Sequence, residues 1–168
     1  MDAQVTAVNE PARAEATREG KYLTFSLAGE EYGIGIIKVR EIIGMMSITP
    51  VPQTPDFVKG VINLRGKVIP VIDLRLRFGL DATAYTERTC IIVVEIHGET
   101  GAVPMGIVVD AVSEVLNIRG TDIENTPTFG VKLNTDFILG MAKTGGSVKI
   151  LLDIDKVLGN EQFSSFGS

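Results

Sequence analysis

The second half of this 168-residue chain repeats the first. Residues 57–79, shifted by eighty positions, align with 137–159 without a gap, and six of the 23 positions are identical. A second alignment places 33–43 on 106–116, with four identities. Unrelated segments as long as the first pair would match at only about one or two positions. The duplication therefore predicts two copies of one small folding unit.

The apolar residues of the chain favour strands. Ile and Val occur 18 times each, against 12 Leu, and β-branched side chains suit strands better than helices. The chain also has 18 Gly and 7 Pro, which supply turns. A unit of about 65 residues with several short strands is most economically a closed barrel, which removes exposed sheet edges. We expect two such barrels, at about 21–85 and 86–160.

Local patterns predict the elements of each unit. Four hairpins are expected, at 22–36, 61–72, 90–109 and 137–152. The apolar spacing of 37–43 and 111–116 is typical of short helices, and the Thr54-Pro55 pair has the form of a helix start. Further short helices are expected after Asp73 and Asp153, and Pro70 is expected at a sheet edge or a bulge.

The ends and the charge of the chain exclude some functions. Residues 1–20 lack apolar periodicity and are expected to be a flexible, dispensable tail, with a second tail at 161–168. Neither a secretory signal nor a stretch of about eighteen apolar residues is found, so we expect a cytoplasmic protein that does not insert into the membrane. The net charge is −5, with scattered Lys and Arg, which argues against nucleic acid as a partner.

Few residues are candidates for catalysis. Cys90 and His97 are the single cysteine and histidine, so the chain can form neither a disulfide framework nor a multi-cysteine zinc site. Cys90 lies in an Ile- and Val-rich segment that favours a buried, inert thiol, and His97 lies at a turn. Asp73 and Asp153 could be paired carboxylates, but their equivalent repeat positions favour helix N-caps. We expect no catalysis, no metal and no cofactor.

Apolar residues near the repeat junctions allow two interpretations. Ile36 and Val39, with their repeat equivalents Val109 and Val112, are either core residues or the lining of a groove between the barrels. Such a groove would receive an apolar helix. Arg65, in the tight turn Arg65-Gly66, is either solvated or part of an interface.

Several segments resemble one known family. They read EEYGI at 30–34, KVREI at 38–42, FVKGVINLRG at 57–66, PVIDLR at 70–75 and GIVVD at 106–110. Together they closely resemble the CheW family of chemotaxis coupling proteins. The resemblance covers roughly residues 20–160 and keeps the motifs in the family's order.

The resemblance implies a fold and a function. The fold would be mostly β, with two intertwined five-stranded SH3-like barrels and short helices. The function would be that of a non-catalytic adaptor between chemoreceptors (methyl-accepting chemotaxis proteins) and the histidine kinase CheA, at membrane-associated receptor arrays. The receptor's cytoplasmic tip, a helical hairpin, would occupy the groove between the barrels, and the kinase would bind through its regulatory domain.

The resemblance also assigns residues by position. The expected receptor-binding residues are Ile36, Val39, Glu41, Arg65, Gly106 and Val112. The expected kinase-binding residues are Ile48, Lys59 and Gly60. The chain departs from the family pattern at Met45-Met46, often polar in relatives, and at Cys90, where an aliphatic residue is usual. The alternatives are a scaffold of a related, non-motility chemosensory kinase system and an enzyme with a cryptic site.

Overall fold

A computed structural model describes residues 18–126 and 136–159 of the chain. The predicted C-terminal tail, most of the predicted N-terminal tail and residues 127–135 lie outside this range. Residues 18–20, expected in the N-terminal tail, contact the folded part of the chain. Arg18 donates to the Asn125 side chain at 2.9 Å, Glu19 accepts from the Gly120 amide at 2.7 Å, and Gly20 begins the first strand.

The described residues form strands joined by short helical pieces. The helices are α1 (Leu74–Arg77) and α2 (Ile154–Leu158), with 3-10 turns at Ile36–Lys38 and Gly120–Asp122. The strands are β1 (Gly20–Leu27), β2 (Glu30–Gly35), β3 (Val39–Gly44), β4 (Val58–Leu64), β5 (Lys67–Asp73), β6 (Cys90–Gly98), β7 (Gly101–Val109), β8 (Ala111–Ile118), β9 (Ile123–Glu124), β10 (Ile138–Thr144) and β11 (Ser147–Leu152).

The two repeats exchange strands. The first sheet has the order β8-β1-β2-β11-β10-β9, and the second has the order β3-β6-β7-β5-β4. Under the repeat alignment, β2-β3 correspond to β7-β8, and β4-β5-α1 correspond to β10-β11-α2. Each sheet therefore takes its central hairpin from one repeat and its remaining strands from the other. The predicted mostly β architecture with two intertwined SH3-like barrels is confirmed, and the short strand β9 gives the first sheet six strands where five were expected.

The expected division of the chain at about residue 85 does not coincide with its division into sheets. The first sheet comprises residues from 20–35 and 111–152, and the second comprises residues from 39–109. A division near residue 85 separates the repeats, whereas the chain changes sheets between β2 and β3 and again between β7 and β8. We refer to these two connections as the crossovers.

Each sheet closes on itself through the segment that follows its outermost strand. After β3, Thr49 forms two backbone hydrogen bonds with Val61 of β4, at 2.8 and 2.9 Å, across the opposite edge of the second sheet. In the first sheet, β8 leads into β9, which pairs with β10. Both edges of each sheet are thereby linked, which produces the barrel form.

Three apolar cores explain the long Ile and Val runs. A central core lies between the sheets, and each barrel has its own interior. Along β6, Ile91 and Val93 enter the interior of the second barrel, while Ile92 and Val94 enter the central core. A strand that is buried on both faces reads as a continuous apolar run because successive side chains point to opposite sides.

The helices predicted at 37–43 and 111–116 are wrong, since these segments are mainly the edge strands β3 and β8. Each strand contains a bulge, where Val39 pairs with Val94 but Glu41 pairs with Val93, and where the β8 register slips between Val112 and Val115. One extra residue shifts the two-residue alternation to a spacing of three, which mimics helical periodicity.

The other local predictions have mixed outcomes. The helix expected at Thr54-Pro55 is absent from the described chain because β4 begins at Val58, and the Thr54 hydroxyl donates to the Val51 carbonyl at 2.9 Å. All four hairpins are confirmed, with strand ends that differ by a few residues. Pro70 pairs with Val61 beside a bulge and precedes the part of β5 that pairs with β7.

Two ion pairs fasten the crossovers. At the β2–β3 crossover, the Lys38 ammonium lies 2.6 Å from a carboxylate oxygen of Asp155 on α2. At the β7–β8 crossover, Asp110 accepts two hydrogen bonds from Arg75 of α1, at 2.6 and 2.8 Å. In the repeat alignment Arg75 corresponds to Asp155, whereas Asp110 corresponds to Ile37 and lies one position from the equivalent of Lys38, so the two ion pairs are similar in placement but not equivalent residue by residue. Each helix is thus held to the crossover contributed by the other repeat.

Among the described residues, no helix is both long and apolar enough to cross a lipid bilayer.

A substitution at Gly60 tests the pairing of Thr49 with β4 that closes the second barrel. The φ of Gly60 is +140°, and a Cβ there would lie 2.0 Å from the Thr49 carbonyl oxygen. We expect Gly60→Ala to lower the free energy of unfolding by about 3 kcal/mol or more, because strain and backbone overlap combine. Gly44→Ala is the matched control, since a Cβ at Gly44 meets nothing within 4 Å. Equal urea midpoints for the two variants would contradict this account.

Asp110 predicts a pH dependence of stability. The two hydrogen bonds from Arg75 hold the pKa of Asp110 below its usual value. Its contribution to stability is therefore complete above the unfolded pKa of about 3.9 and is lost as the pH falls through the lower folded pKa. We expect Asp110→Asn to unfold about 1–2 kcal/mol more easily at pH 7, with the deficit shrinking below about pH 3.9. Urea titrations at pH 7 and pH 2.5 measure this, and a deficit that is independent of pH would refute it.

Candidate functional site

The two edge strands β3 and β8 present apolar side chains beside the central core. Residues directly opposite each other in a ladder share a face of the sheet. Ile42 pairs with Ile92 and Val115 pairs with Leu23, and both partners belong to the central core. Ile42 and Val115 nevertheless remain 45% and 49% exposed because they lie on edge strands.

Val39 and Val112 occupy the same faces. They are half-buried, pack against the central core and pair with Val94 and Phe25, respectively. We call the set Val39, Ile42, Val112 and Val115 the β3–β8 surface. The sequence allows Val39 and Val112 to be interpreted either as core residues or as groove residues. Both descriptions apply in part, because each side chain packs against the central core and is also partly exposed.

Cys90 lies beside both strands of the β3–β8 surface. It pairs with Gly44 at the end of β3, and a hydrogen bond from the Val112 backbone reaches its sulfur. Burial raises the pKa of the Cys90 thiol, and the hydrogen bond from Val112 opposes this shift. The predicted inert thiol is consistent with this raised pKa, but Cys90 is only partly buried.

The first crossover exposes two further apolar residues. Ile36 is 36% exposed and Ile37 is 88% exposed, while Lys38 is held by Asp155. In the second repeat the equivalent positions are closed, because Val109 is 1% exposed and Asp110 is held by Arg75. The first crossover therefore exposes apolar side chains that a partner could contact, whereas the second does not.

The sequence reasoning missed Ile37, Ile42 and Val115. Ile42 and Val115 occupy equivalent positions in the repeat alignment, and that equivalence is the signal that could have identified them together with Val39 and Val112. Ile37 carries no such signal, because its equivalent is Asp110.

Glu41 and Arg65 form an ion pair between β3 and the β4–β5 turn. Arg65 has a φ of +51°, a left-handed conformation that costs a non-glycine residue about 1 kcal/mol. The equivalent residue of the other repeat is Gly145, with a φ of +56°. The Arg65 side chain is 70% exposed, so its position cannot be explained by packing.

Gly106 is not on the surface, contrary to the role expected for it. It is buried in β7, and a Cβ there would lie 2.8 Å from the Ile91 methyl group and 3.5 Å from that of Val71. Its repeat equivalent Gly33 is similarly confined, 3.0 Å from a methyl group of Leu151. The glycines allow the barrel walls to approach, and a partner cannot contact Gly106 directly.

The residues expected to contact the kinase lie near the pairing of Thr49 with Val61, which closes the second barrel. Ile48 packs against the interior of the second barrel, and Lys59 is partly exposed on β4. Gly60 is buried, and its lack of a Cβ leaves room for the Thr49 backbone. This face adjoins β4, at the opposite end of the second sheet from β3.

The candidate catalytic residues have structural partners. Asp73 and Asp153 cap α1 and α2, accepting from the amides of Leu76 and Lys156 at 3.3 Å, as the repeat predicted. Within residues 18–126 and 136–159, no group of three or more His, Cys, Asp or Glu side chains is arranged to hold a metal.

Comparisons with known proteins agree with this architecture. Residues 21–162 match the CheW-like domain family. The chain is 43% identical over 144 residues to the chemotaxis protein CheW of Klebsiella aerogenes, covering 86% of this chain and 84% of the relative. It is 35% identical over 152 residues to the chemotaxis protein CheW of Rhizobium meliloti, covering 90% and 96%.

A solved structure shows the same fold. The scaffolding protein TtCheW of Thermoanaerobacter tengcongensis superimposes with a TM-score of 0.75 at 40% sequence identity. The match covers 86% of this chain and 95% of that protein. By its family match, its relatives and its exchanged double barrel, this chain belongs to the CheW family.

Proposed function

We propose that this chain is a non-catalytic chemotaxis adaptor that couples the cytoplasmic tips of chemoreceptors to the histidine kinase CheA. The observation that carries the proposal is the separation of two surfaces on one double barrel. The β3–β8 surface is an apolar margin formed by both repeats, and the Ile48 and Lys59 face adjoins the barrel closure. Relatives that bear the names chemotaxis protein and scaffolding protein support this role.

The β3–β8 surface suits a receptor tip. A helical hairpin presents apolar side chains at helical spacing, and an apolar margin between two strands can accept them. Ile36 and Ile37 extend this apolar area at the first crossover, and the Glu41–Arg65 pair supplies charge beside it. Through this contact the adaptor would sit at membrane-associated receptor arrays.

A related chemosensory system without a motility output is the second candidate. One relative, FrzA of Myxococcus xanthus, is 30% identical over 147 residues and carries a different name from the others. Loss of swimming bias in a deletion strain would support the chemotaxis role. Unchanged swimming with altered output of another kinase pathway would favour the second candidate.

The two surfaces should be separable by mutation. We expect Val115→Glu to weaken binding of a receptor-tip fragment about a hundredfold while leaving CheA binding intact. The introduced carboxylate would be buried without a partner at a cost of several kcal/mol, and each 1.4 kcal/mol is about tenfold. Val115 is preferable to Val39 for this test because Val39 also packs against the central core. Lys59→Glu should have the reverse effect.

Val148→Glu is the matched control, since Val148 is 52% exposed and lies on β11, outside the β3–β8 surface. Pull-down with each partner measures the binding. Normal receptor affinity of folded Val115→Glu would refute the location of the site.

The Arg65 side chain is expected to contribute to receptor binding, while its left-handed backbone costs some stability. We expect Arg65→Gly to unfold within about 1 kcal/mol of the parent, because relief of the left-handed strain offsets the flexibility of glycine. Receptor affinity should fall about tenfold or more, since the charge beside the β3–β8 surface is lost. Thermal unfolding and titration with the receptor-tip fragment measure the two effects.

Lys143→Ala provides the control, because Lys143 forms an exposed ion pair with Glu124 in the first barrel. A folded Arg65→Gly protein with unchanged affinity would show that Arg65 has no role in binding.

A further inference from the structure

Val112 and Val115 share a face of β8 only because the strand contains a bulge. Residues three positions apart in a regular strand point to opposite faces, since successive side chains alternate. On β1, the partners Phe25 and Leu23 are two positions apart and share a face in the ordinary way. The extra residue in β8 compensates for the difference. The bulge is therefore required for the β8 half of the β3–β8 surface.

A buried threonine hydroxyl holds this bulge. Thr24 of β1 lies opposite the two bulged residues, Ser113 and Glu114, and its exposure is 0%. The Thr24 Oγ1 donates to the Glu114 carbonyl at 2.8 Å and accepts from the Glu114 amide at 3.1 Å. One hydroxyl can do both, because it is a donor and an acceptor. It thereby satisfies both backbone groups of a residue that the bulge takes out of the regular ladder.

The bulge in β3 is fastened by exposed ion pairs instead. Its two bulged residues, Arg40 and Glu41, pair with Glu95 and Arg65, respectively. The two arginine side chains are 60% and 70% exposed. Val93 of β6 lies opposite Glu41 and carries no hydroxyl. The same backbone feature is thus held from outside the barrel in β3 and from inside the barrel in β8.

The repeat alignment explains why β8 depends on the hydroxyl. Glu41 and Arg65 correspond to Glu114 and Gly145. Gly145 has no side chain that could pair with the Glu114 carboxylate, so the ion pair of β3 cannot form in β8. Thr24 supplies hydrogen bonds to the Glu114 backbone in its place.

We propose that Thr24 is a positioning residue for receptor binding. Thr24 is buried and does not touch the receptor, but its hydroxyl keeps Val112 and Val115 on the face that the receptor tip contacts. Without the hydroxyl, the Glu114 amide and carbonyl lose their partner and the strand loses its bulge. A change of register by one residue then turns Val115 to the opposite face. This inference deepens the proposed function and rests on it.

The variant Thr24→Val tests the proposal, because it keeps the shape of the side chain and removes the hydroxyl. We expect hydrogen exchange of the Glu114 amide to become about tenfold faster or more, since its acceptor is lost. Binding of a receptor-tip fragment, measured by calorimetry, should weaken about tenfold or more. The amides of β7, in the centre of the second sheet, should keep their exchange rates and thereby report an intact fold.

Two further variants serve as rescue and control. Thr24→Ser retains the hydroxyl and should restore both the exchange rate and the receptor affinity to within about twofold of the parent. Thr54→Val removes a hydroxyl that donates to the Val51 carbonyl, outside the β3–β8 surface, and should change neither quantity.

The exchange measurement needs no receptor, so it separates this inference from the proposed function. Unchanged exchange of the Glu114 amide in Thr24→Val would overturn the inference. Rapid exchange of that amide in the parent protein would do the same, even if Thr24→Val does not fold. Faster exchange with normal receptor affinity would also overturn it when Val115→Glu loses affinity. Normal affinity of both Thr24→Val and Val115→Glu would overturn the proposed receptor site itself, and the inference with it.

Discussion

The two repeats exchange strands, and neither sheet is complete without strands from both. Neither repeat can bury its own apolar faces, because each sheet needs a hairpin from one repeat and the outer strands from the other. The central core forms only when both sheets are complete. The ion pairs Lys38–Asp155 and Arg75–Asp110 then fix each crossover to a helix of the opposite repeat. Folding is therefore expected to be cooperative across the whole double barrel.

This pseudo-symmetric framework places two equivalent edge strands beside one core, and the differences between the repeats give the two halves different surfaces. Ile37 is exposed where Asp110 is held in an ion pair, and a strained Arg65 stands where the other repeat has Gly145. Duplication thus supplies the fold, and divergence at a few positions supplies the candidate binding sites.

Much of the local structure could be predicted because it depends on neighbouring residues. Turn glycines, β-branched runs and the capping aspartates Asp73 and Asp153 act over two to four residues, and the hairpins and short helices that they predicted are present. The helices expected at 37–43 and 111–116 failed because a bulged edge strand and a short amphipathic helix share the same apolar spacing. Pairing with β6 and β1 decides between them, and that pairing is not a local property.

The internal repeat and the β-branched composition are sufficient to identify a duplicated, mostly β protein, and the motifs are sufficient to identify its family. Which strands share a barrel could be read only from the folded chain. The two repeats exchange strands, so the boundary between the repeats is not the boundary between the sheets. The tertiary structure also decided that Gly60 and Gly106 are backbone spacers, whereas Ile42 and Val115 are accessible. Exposure depends on what other segments cover a side chain, and those segments can lie far away along the chain, as Leu23 and Val115 of the adjacent strands β1 and β8 illustrate, 92 positions apart.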